Sequence, residues 1–293
     1  MARLLIVDGH AYAYRAFHAI RELRAPDGRP TNAIYGFVKM LEKMRLALEP
    51  THLAVVWDGG LSAERMAALP TYKAQRPEMP GDLRPQFDEI SAYLAASGVP
   101  EICRDGVEAD DIIASLARRE AAAGMTVVIA SADKDFMQLV SGPVGLLNPN
   151  DKTGTVWTDE QVLAKTGVKP AQIADWLALM GDTVDNIPGV PGVGAKTAAG
   201  LLQQFGCLDE LFRRLDEVKS ERLRLALREA AETVRRNLAL VRLHDVPLNL
   251  TASELVPQPV NREKLAKLLQ GWGFRGMLAS LETAPLERQQ HLI

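Results

Sequence analysis

Short apolar runs alternate with longer amphipathic stretches along the first half of the chain. Two stretches, Asn32–Leu48 and Asp110–Ala123, repeat apolar residues at the spacing of one helix face. Four runs have the length and continuity of buried strands: Leu4–Val7, Leu53–Trp57, Val99–Cys103 and Met125–Ala130. Strands that alternate with helices favour an α/β fold built on a largely parallel sheet.

This alternation is interrupted in two places. The segment Gly59–Asp82 is polar, contains three prolines and is too long for a tight connection, so we expect a functional or mobile insertion. From about Pro170 onward, strand-like runs become scarce and short helices separated by Gly and Pro prevail. That change predicts a smaller helical subdomain, followed by a closing helix around Arg262–Leu269.

The composition is that of a globular protein: 293 residues, of which 47% are hydrophobic and 24% are charged. The apolar runs are shorter than the roughly 20 residues that span a bilayer, and the first run meets Asp8 too early for a secretion signal. Cys103 and Cys207 stand in unrelated contexts, which disfavours a zinc site or a disulfide framework. We therefore expect a cytoplasmic protein that does not act at a membrane.

Three of the predicted strands end in an aspartate, namely Asp8, Asp58 and Asp133. Ligands of parallel α/β sheets bind at the carboxyl ends of the strands, so these acids should share one edge of the sheet. Each acid alone is better explained as the N-cap of the next helix. Three at the same edge favour a binding site.

Further acids are grouped along the chain near these strand ends. Helix-dipole complementarity explains one or two acids at a helix start, but a larger group repels itself unless cations lie between the carboxylates. With the strand-end acids they make nine candidates: Asp8, Asp58, Glu108, Asp110, Asp111, Asp133, Asp135, Asp182 and Asp185. An all-oxygen set selects Mg²⁺ or Mn²⁺ over zinc. Two such ions would activate a water and stabilise the leaving oxygen of a phosphodiester.

The net charge of −3 conceals a basic remainder. Setting the nine candidate acids aside leaves 28 acidic against 34 basic residues. Once metals neutralise those acids, the rest of the surface can attract a polyanion such as a nucleic acid.

A glycine-rich hairpin, Ile187–Lys196, precedes a predicted helix. Glycines such as Gly192 and Gly194 let backbone amides approach a phosphate, and Lys196 adds a positive charge. This is the helix–hairpin–helix pattern, which grips a nucleic-acid backbone without reading bases. A plain helical turn with glycine caps is the alternative.

The Gly59–Asp82 insertion carries basic and aromatic residues that suit a single strand of nucleic acid: Arg65, Tyr72, Lys73 and Arg76. Near the first acid, Arg15 is a further candidate phosphate contact. A solvated surface loop explains the same composition of the insertion.

Together these motifs resemble the 5′ nuclease family, which includes the flap endonucleases and the N-terminal domain of bacterial DNA polymerase I. The resemblance runs from Leu4 to about Leu281. The motifs that carry it are Val7-Asp8-Gly9-His10, Tyr14-Arg15-Ala16-Phe17-His18, Tyr35-Gly36-Phe37, Tyr72-Lys73-x-x-Arg76, Gly106-x-Glu108-Ala109-Asp110-Asp111, Ala132-Asp133-Lys134-Asp135 and Gly181-Asp182-x-x-Asp185-Asn186-Ile187-Pro188-Gly189.

The resemblance implies a PIN-like α/β core, mostly parallel and flanked by helices, with a helical arch over the active site. We expect residues 1–169 and 246–293 to form this core, with the arch at about 60–84. Residues 170–245 would form the helix–hairpin–helix subdomain, which binds duplex DNA and holds a potassium ion between hairpin and phosphate.

The resemblance also implies a role for each site residue. Asp8, Asp58, Glu108 and Asp110 would bind a first metal, and Asp133, Asp135 and Asp182 a second, whereas Asp111 and Asp185 would act through water. The scissile phosphate would be held by Lys73 and Arg76. Other DNA contacts would come from Arg15, Arg65 and Tyr72, the last by stacking.

The sequence therefore predicts a monomeric, Mg²⁺-dependent 5′-3′ exonuclease and flap endonuclease of bacterial replication and repair, associated with the nucleoid. Its substrates would be DNA with a 5′ flap, a 5′ overhang, a nick or a junction. Three alternatives are a non-catalytic DNA-binding module, a PIN-type ribonuclease and a phosphatase that uses a strand-end aspartate. Residues Gln289–Ile293 loosely resemble a sliding-clamp peptide, for which a frayed terminus is the alternative.

Overall fold

A computed structural model describes residues 2–151 and 153–283. The strands are β1 (Arg3–Asp8), β2 (His52–Val56), β3 (Glu101–Ile102), β4 (Thr126–Ala130), β5 (Val144–Leu147), β6 (Val156–Trp157), β7 (Gly181–Asp182) and β8 (Ile187–Pro188). The helices are α1 (Gly9–Ala19), α2 (Asn32–Leu48), α3 (Ala63–Ala68), α4 (Arg84–Ala96), α5 (Ala109–Ala122), α6 (Asp159–Thr166), α7 (Ile173–Met180), α8 (Ala195–Phe205), α9 (Leu208–Arg213), α10 (Glu221–Glu229), α11 (Ala231–Val241), α12 (Arg262–Trp272) and α13 (Arg275–Thr283).

The main sheet has six strands in the order β3-β2-β1-β4-β5-β6, and every neighbouring pair except β5–β6 is parallel. The predicted mostly parallel sheet is therefore confirmed. Strand order reverses direction between β1 and β4, which makes the carboxyl ends of these two strands the switch point where ligands bind in open α/β sheets. Their register pairs Val7 with Ala130, so Asp8 and Ser131 emerge side by side there.

The two faces of the sheet are buried in two separate apolar clusters. On β1, Leu4 and Ile6 point into one cluster and Leu5 and Val7 into the other, and all four side chains are fully buried. The first cluster contains residues of α5 and α7, and the second is built with α1, α2, α4 and α12. Because β1 is buried on both faces, its sequence reads as a continuous apolar run rather than an alternating one.

The predicted insertion consists of the short helix α3 followed by turns. Ser62 caps α3 by accepting a hydrogen bond from Arg65 N at 3.3 Å. The guanidinium of Arg65 donates to Leu240 O and Arg242 O, both at 3.0 Å, and so fastens the insertion to the end of α11. Farther along, Lys73 adopts a left-handed conformation with φ 55° in a turn that folds back toward the sheet edge.

The helical subdomain begins with the unit α7-β7-β8-α8. Its two short strands pair Asp182 with Ile187 and close the loop between them. Gly189 has to be a glycine, because a Cβ there would lie 2.1 Å from Met180 O. Gly192, with φ 79°, and Gly194 have open space around them. The hairpin backbone is thus uncovered at these two glycines.

Among the described residues, none of the helices combines the length and apolar character that crossing a membrane requires. The peptide at residues 289–293 lies outside the part of the chain that the structure describes. The predicted division of the chain into core and subdomain stays a prediction.

The central position of β1 leads to a stability prediction. Leu5→Ala removes a side chain that is 0% exposed between the sheet and its helices, so we expect a loss of about 2–5 kcal/mol in the free energy of unfolding. Urea denaturation followed by circular dichroism measures it. Leu46→Ala is the matched control, because Leu46 is 56% exposed and its truncation should change the free energy by less than about 0.5 kcal/mol. Equal losses for both variants would contradict the burial of β1.

Candidate active site

Six of the nine candidate acids line one open cleft at the carboxyl edge of the sheet. The cleft has a volume of about 640 Å³. The acids that line it are Asp8, Asp58, Asp110, Asp133, Asp182 and Asp185. The prediction that strand-end acids converge is therefore confirmed for Asp8, Asp58 and Asp133.

Two of these acids also cap helices, as the alternative reading expected. Asp8 Oδ1 accepts from Ala11 N at 3.0 Å at the start of α1. Asp133 Oδ1 accepts from Asp135 N at 2.9 Å at the start of a 3₁₀ turn, Lys134–Leu139. A cap occupies one lone pair of one oxygen, so each carboxylate keeps acceptor capacity for another partner. Capping and cation binding are compatible at both positions.

Glu108 lies beneath the cleft and is 1% exposed. Its oxygens accept from Ser62 N at 3.1 Å, from Tyr72 Oη at 3.1 Å and from the ammonium of Lys73. Burial would raise the pKa of Glu108, but the adjacent Lys73 and Arg65 lower it, so the carboxyl is ionised. Glu108 therefore holds the insertion against the sheet edge.

Two lysine ammonium groups lie among the candidate metal ligands. Lys73 Nζ, on a side chain only 2% exposed, contacts Glu108 and lies 3.8 Å from Asp110 Oδ2 and 3.9 Å from Asp185 Oδ2. Lys134 Nζ lies 3.1 Å from Asp182 Oδ2. Burial disfavours the charged form of Lys73, but Asp110 and Asp185 outweigh it and raise its pKa. These ammonium groups offset part of the negative charge that the carboxylates bring together.

Asp111 and Arg65 do not line the cleft. The Arg65 guanidinium binds both oxygens of Asp111 at 2.7 and 2.8 Å, and His244 N donates to Asp111 Oδ1 at 2.9 Å. Arg65 is 3% exposed and Asp111 is 5% exposed. In this structure Asp111 is therefore the partner of Arg65, and Arg65 anchors the insertion. Their predicted roles toward a metal and toward DNA stay predictions.

Tyr72 and Lys73, which were predicted to contact DNA, are both buried in this structure. Tyr72 is 3% exposed and its hydroxyl donates to Glu108, so its ring is buried in this structure and its stacking role stays a prediction. Lys73 does not line the cleft. Arg76 does line it: its side chain is 41% exposed, and Nη2 donates to Asp185 Oδ1 at 2.7 Å.

The remaining predicted DNA contacts lie at the surface. Arg15 is half-buried and donates to Asn150 in the loop after β5. Gly192, Gly194 and Lys196 are exposed on the hairpin and do not line the cleft. The acidic cleft and the hairpin are thus two separate surfaces.

Several residues at the site had no role assigned from the sequence. Lys134 and Tyr14 line the cleft, and so does His10, whose Nδ1 accepts from Asp58 N at 3.1 Å. Burial lowers the pKa of His10, which favours this neutral, accepting form. Ser131, fully buried, binds Asp8. The available signal was position: each of the four lies within one to six residues of a strand-end aspartate.

Burial and mutual repulsion raise the pKa of the clustered carboxyls. Burial, with Asp133 and Asp58 nearby, raises the pKa of Asp8 to about 6. Burial and the charges of Asp133 and Asp8 raise the pKa of Asp110 well above its usual range. Burial and neighbouring acids raise the pKa of Asp133 and Asp135 in the same direction. The site therefore favours anything that brings positive charge to it, whether protons or cations.

The donor set fits hard divalent cations. Asp135 Oδ1 is buried and has no hydrogen-bond partner among the described residues, which leaves an oxygen available to a cation. Every candidate donor is an oxygen, as Mg²⁺ and Mn²⁺ prefer. Within the described ranges, no three of the acids converge closely enough to enclose an ion, so the carboxylates are assembled but not closed around a metal position.

Two family models cover most of the chain. One is described as 5′-3′ exonuclease, N-terminal resolvase-like domain, and matches residues 3–167. The other is described as 5′-3′ exonuclease, C-terminal SAM fold, and matches residues 168–263.

Similar proteins include whole nucleases and larger polymerases. The chain is 37% identical to a 5′-3′ exonuclease of Aquifex aeolicus, with 96% of each chain covered. It is 43% identical to DNA polymerase I of Pseudomonas aeruginosa over 96% of this chain and 31% of the relative. It is 38% identical to DNA polymerase I of Bacillus caldotenax over 99% of this chain and 33% of the relative. The chain thus spans about a third of the length of these polymerases.

Solved structures with the same fold include two nucleases. T5 5′-exonuclease with bound divalent metal ions (zinc) superposes with a TM-score of 0.68 at 25% identity, covering 92% of this chain and 99% of that one. The catalytic core of Rad2 in complex with DNA substrate superposes with a TM-score of 0.64 at 16% identity, covering 99% and 91%. The Rad2 likeness concerns the fold alone. Together they confirm the predicted fold class.

Repulsion in the cleft leads to a prediction for Asp110→Asn. Removing one charge from the cluster should raise the melting temperature in EDTA by about 2–4 °C for each kcal/mol of relieved repulsion. Differential scanning calorimetry measures the shift. Asp88→Asn is the matched control, because Asp88 is an exposed aspartate outside the cleft. A fall in the melting temperature of the Asp110 variant would show that the charge is compensated in the folded protein.

The raised pKa values also predict a pH dependence. Because the pKa of Asp8 is about 6 in the folded chain against an ordinary 3.8, the folded state binds more protons between these values. The free energy of unfolding therefore falls as pH rises through this window. Glu108, with a lowered pKa, contributes the opposite slope only below its ordinary 4.5.

The measurement is the melting temperature in EDTA at pH values below and above about 6, repeated with excess Mg²⁺. We expect greater stability at the lower pH in EDTA and a smaller difference with Mg²⁺. Asp8→Asn should flatten the EDTA profile. A profile that rises with pH in this window would contradict the raised pKa values.

Proposed function

Since the chain belongs to the 5′-3′ exonuclease family, we propose that it is a structure-specific 5′ nuclease that hydrolyses DNA phosphodiesters at 5′ ends and 5′-flap junctions. The observation that carries this proposal is the open cleft lined by six carboxylates at the sheet's switch point. A DNA-binding module without chemistry would be more stable without these mutually repelling charges, whereas a phosphodiesterase needs them.

The proposed cofactors are two divalent cations, Mg²⁺ or Mn²⁺. Asp8, Asp58, Glu108 and Asp110 would hold one, and Asp133, Asp135, Asp182 and, through water, Asp185 would hold the other. The unpartnered Asp135 Oδ1 and the all-oxygen donors support this proposal. When bound, such cations lower the pKa of a water nucleophile and offset charge on the phosphate.

The chain's own residues have distinct tasks in this proposal. Arg76, at the cleft and a little under half exposed, would bind a non-bridging oxygen of the scissile phosphate. Lys73 would serve the same phosphate after leaving Glu108, because its ammonium is buried under the cleft. How readily the insertion releases this lysine would depend on the strength of three contacts to Glu108, from Ser62, Tyr72 and Lys73.

The hairpin is the proposed duplex grip. Gly192 and Gly194 leave backbone amides uncovered at the start of α8, an 11-residue helix whose dipole favours a phosphate there. Lys196 would add a direct charge, and a potassium ion would bridge hairpin and phosphate. Arg15, on α1 near the cleft, would contact the backbone of the strand that enters it.

The biological setting is proposed along with the activity. A 5′ nuclease acting on flapped, nicked or overhanging DNA fits replication and repair, in the cytoplasm and on the nucleoid, as a monomer. The polymerase relatives support this setting, although the chain spans only about a third of their length.

Cleavage of an end-labelled 5′-flap duplex tests the proposal. We expect Mg²⁺-dependent cuts at the junction that EDTA abolishes and that Asp133→Ala reduces by more than about 100-fold, the upper range for loss of outer metal-site contacts. A linear single strand is the substrate control, and Asp88→Asn is the protein control that should cleave normally. Tight binding of flap DNA without cleavage in Mg²⁺ or Mn²⁺ would leave the DNA-binding module as the function.

A further inference from the structure

Ser131 connects the two groups of carboxylates. It follows β4 directly, and the register of β1 and β4 places it beside Asp8 at the switch point of the sheet. Its side chain is 0% exposed, so its hydroxyl has no access to bulk water. A buried hydroxyl requires partners in the protein, and both partners of Ser131 belong to the candidate site.

The direction of these hydrogen bonds is fixed by chemistry. Asp133 N, at 3.1 Å from Ser131 Oγ, can only donate, so the hydroxyl accepts there. The hydroxyl hydrogen is then directed to Asp8 Oδ2, at 2.7 Å. The distance is typical of a hydroxyl donating to a charged oxygen. The backbone of Asp133 thus orients the Ser131 hydroxyl, and the hydroxyl donates to Asp8.

This contact completes the restraint on Asp8. Ala11 N donates to Oδ1 and Ser131 donates to Oδ2, so hydrogen bonds on both oxygens restrain rotation of the carboxylate about its bond to Cβ. Each oxygen keeps a second lone pair. Asp133, whose N–H donates to the Ser131 hydroxyl, is itself restrained because its Oδ1 accepts from Asp135 N. Asp8, Ser131, Asp133 and Asp135 form one continuous chain of hydrogen bonds.

We propose that Ser131 is a positioning residue. It orients the Asp8 carboxylate toward the cation that Asp8 would bind, and it fixes the position of Asp8 relative to Asp133. The inference rests on the function proposed above, since it assigns Asp8 and Asp133 to the two cations of that mechanism. Ser131 does not line the cleft, so it acts through Asp8 and not on substrate.

The matched control is Ser115, a second buried serine with two comparable hydrogen bonds. Ser115 is 6% exposed, donates to Asp111 O at 2.7 Å and accepts from Val246 N at 2.7 Å. Ser115→Ala therefore removes the same chemistry at a place that holds no cleft acid. If Ser131 were only a structural residue, the two alanine variants would behave alike.

The test is a calorimetric titration of the full chain with Mn²⁺ in the absence of DNA, alongside melting temperatures in EDTA. We expect Ser131→Ala to weaken Mn²⁺ binding by about 10–100-fold and Ser115→Ala to leave it unchanged, although both lower the melting temperature. Ser131→Thr, which keeps the hydroxyl, should restore Mn²⁺ affinity to within a few-fold of the original chain. The melting temperatures show which variants are folded.

Turnover on the 5′-flap duplex gives a second readout. At saturating Mn²⁺, Ser131→Ala should lower kcat by about 10–100-fold with little change in KM, because the substrate contacts are intact. Unchanged Mn²⁺ affinity in a folded Ser131→Ala variant, or equal weakening in Ser115→Ala, would overturn the inference. If the original chain binds Mn²⁺ but cuts no flap, the proposed function fails while the Mn²⁺ comparison still decides the role of Ser131.

Discussion

Electrostatic repulsion among buried carboxylates is the constraint on which the rest of the molecule depends. A sheet whose strands end in Asp8 and Asp133 brings like charges into a region of low dielectric, where burial and neighbouring acids disfavour their ionised forms. The fold tolerates this arrangement because both faces of β1 are buried in large apolar clusters. The stability that the core supplies thus offsets the repulsion in the acidic cleft.

The insertion after Asp58 makes this cluster tolerable. Lys73 lies among the acids and Arg65 pairs with Asp111. The hydroxyl of Tyr72 donates to Glu108. The same contacts fix the insertion in place, because removing one member of a buried ion pair leaves the other charge unpaired. The contacts that neutralise the acids are therefore the same contacts that hold the insertion in place. Other cations that bind to the acids would weaken these contacts and loosen the insertion.

Much of the fold and part of the candidate site could be predicted because their causes are local. Helix α2 has the predicted bounds, and the strand-end acids converge because parallel strands end at one edge. Asp110 and Asp111 show what sequence grouping misses: neighbours on a helix point about 100° apart, so one enters the cleft and the other turns to Arg65. The burial of Arg65 and Tyr72 depends on packing against Glu108 and the distant residues Leu240 and Arg242, for which the sequence holds no local signal.

The location of β1 has a consequence for the order in which the protein is synthesised. The first residues of the chain form an interior strand, whose two neighbours lie at His52–Val56 and Thr126–Ala130. At 5–20 residues per second, the ribosome needs on the order of ten seconds to deliver the second neighbour. Until then the apolar run Leu4–Val7 has an unpaired edge, and the nascent chain must keep it from pairing with other chains. Asp8 and Asp133 come together only after all the residues between them have been made.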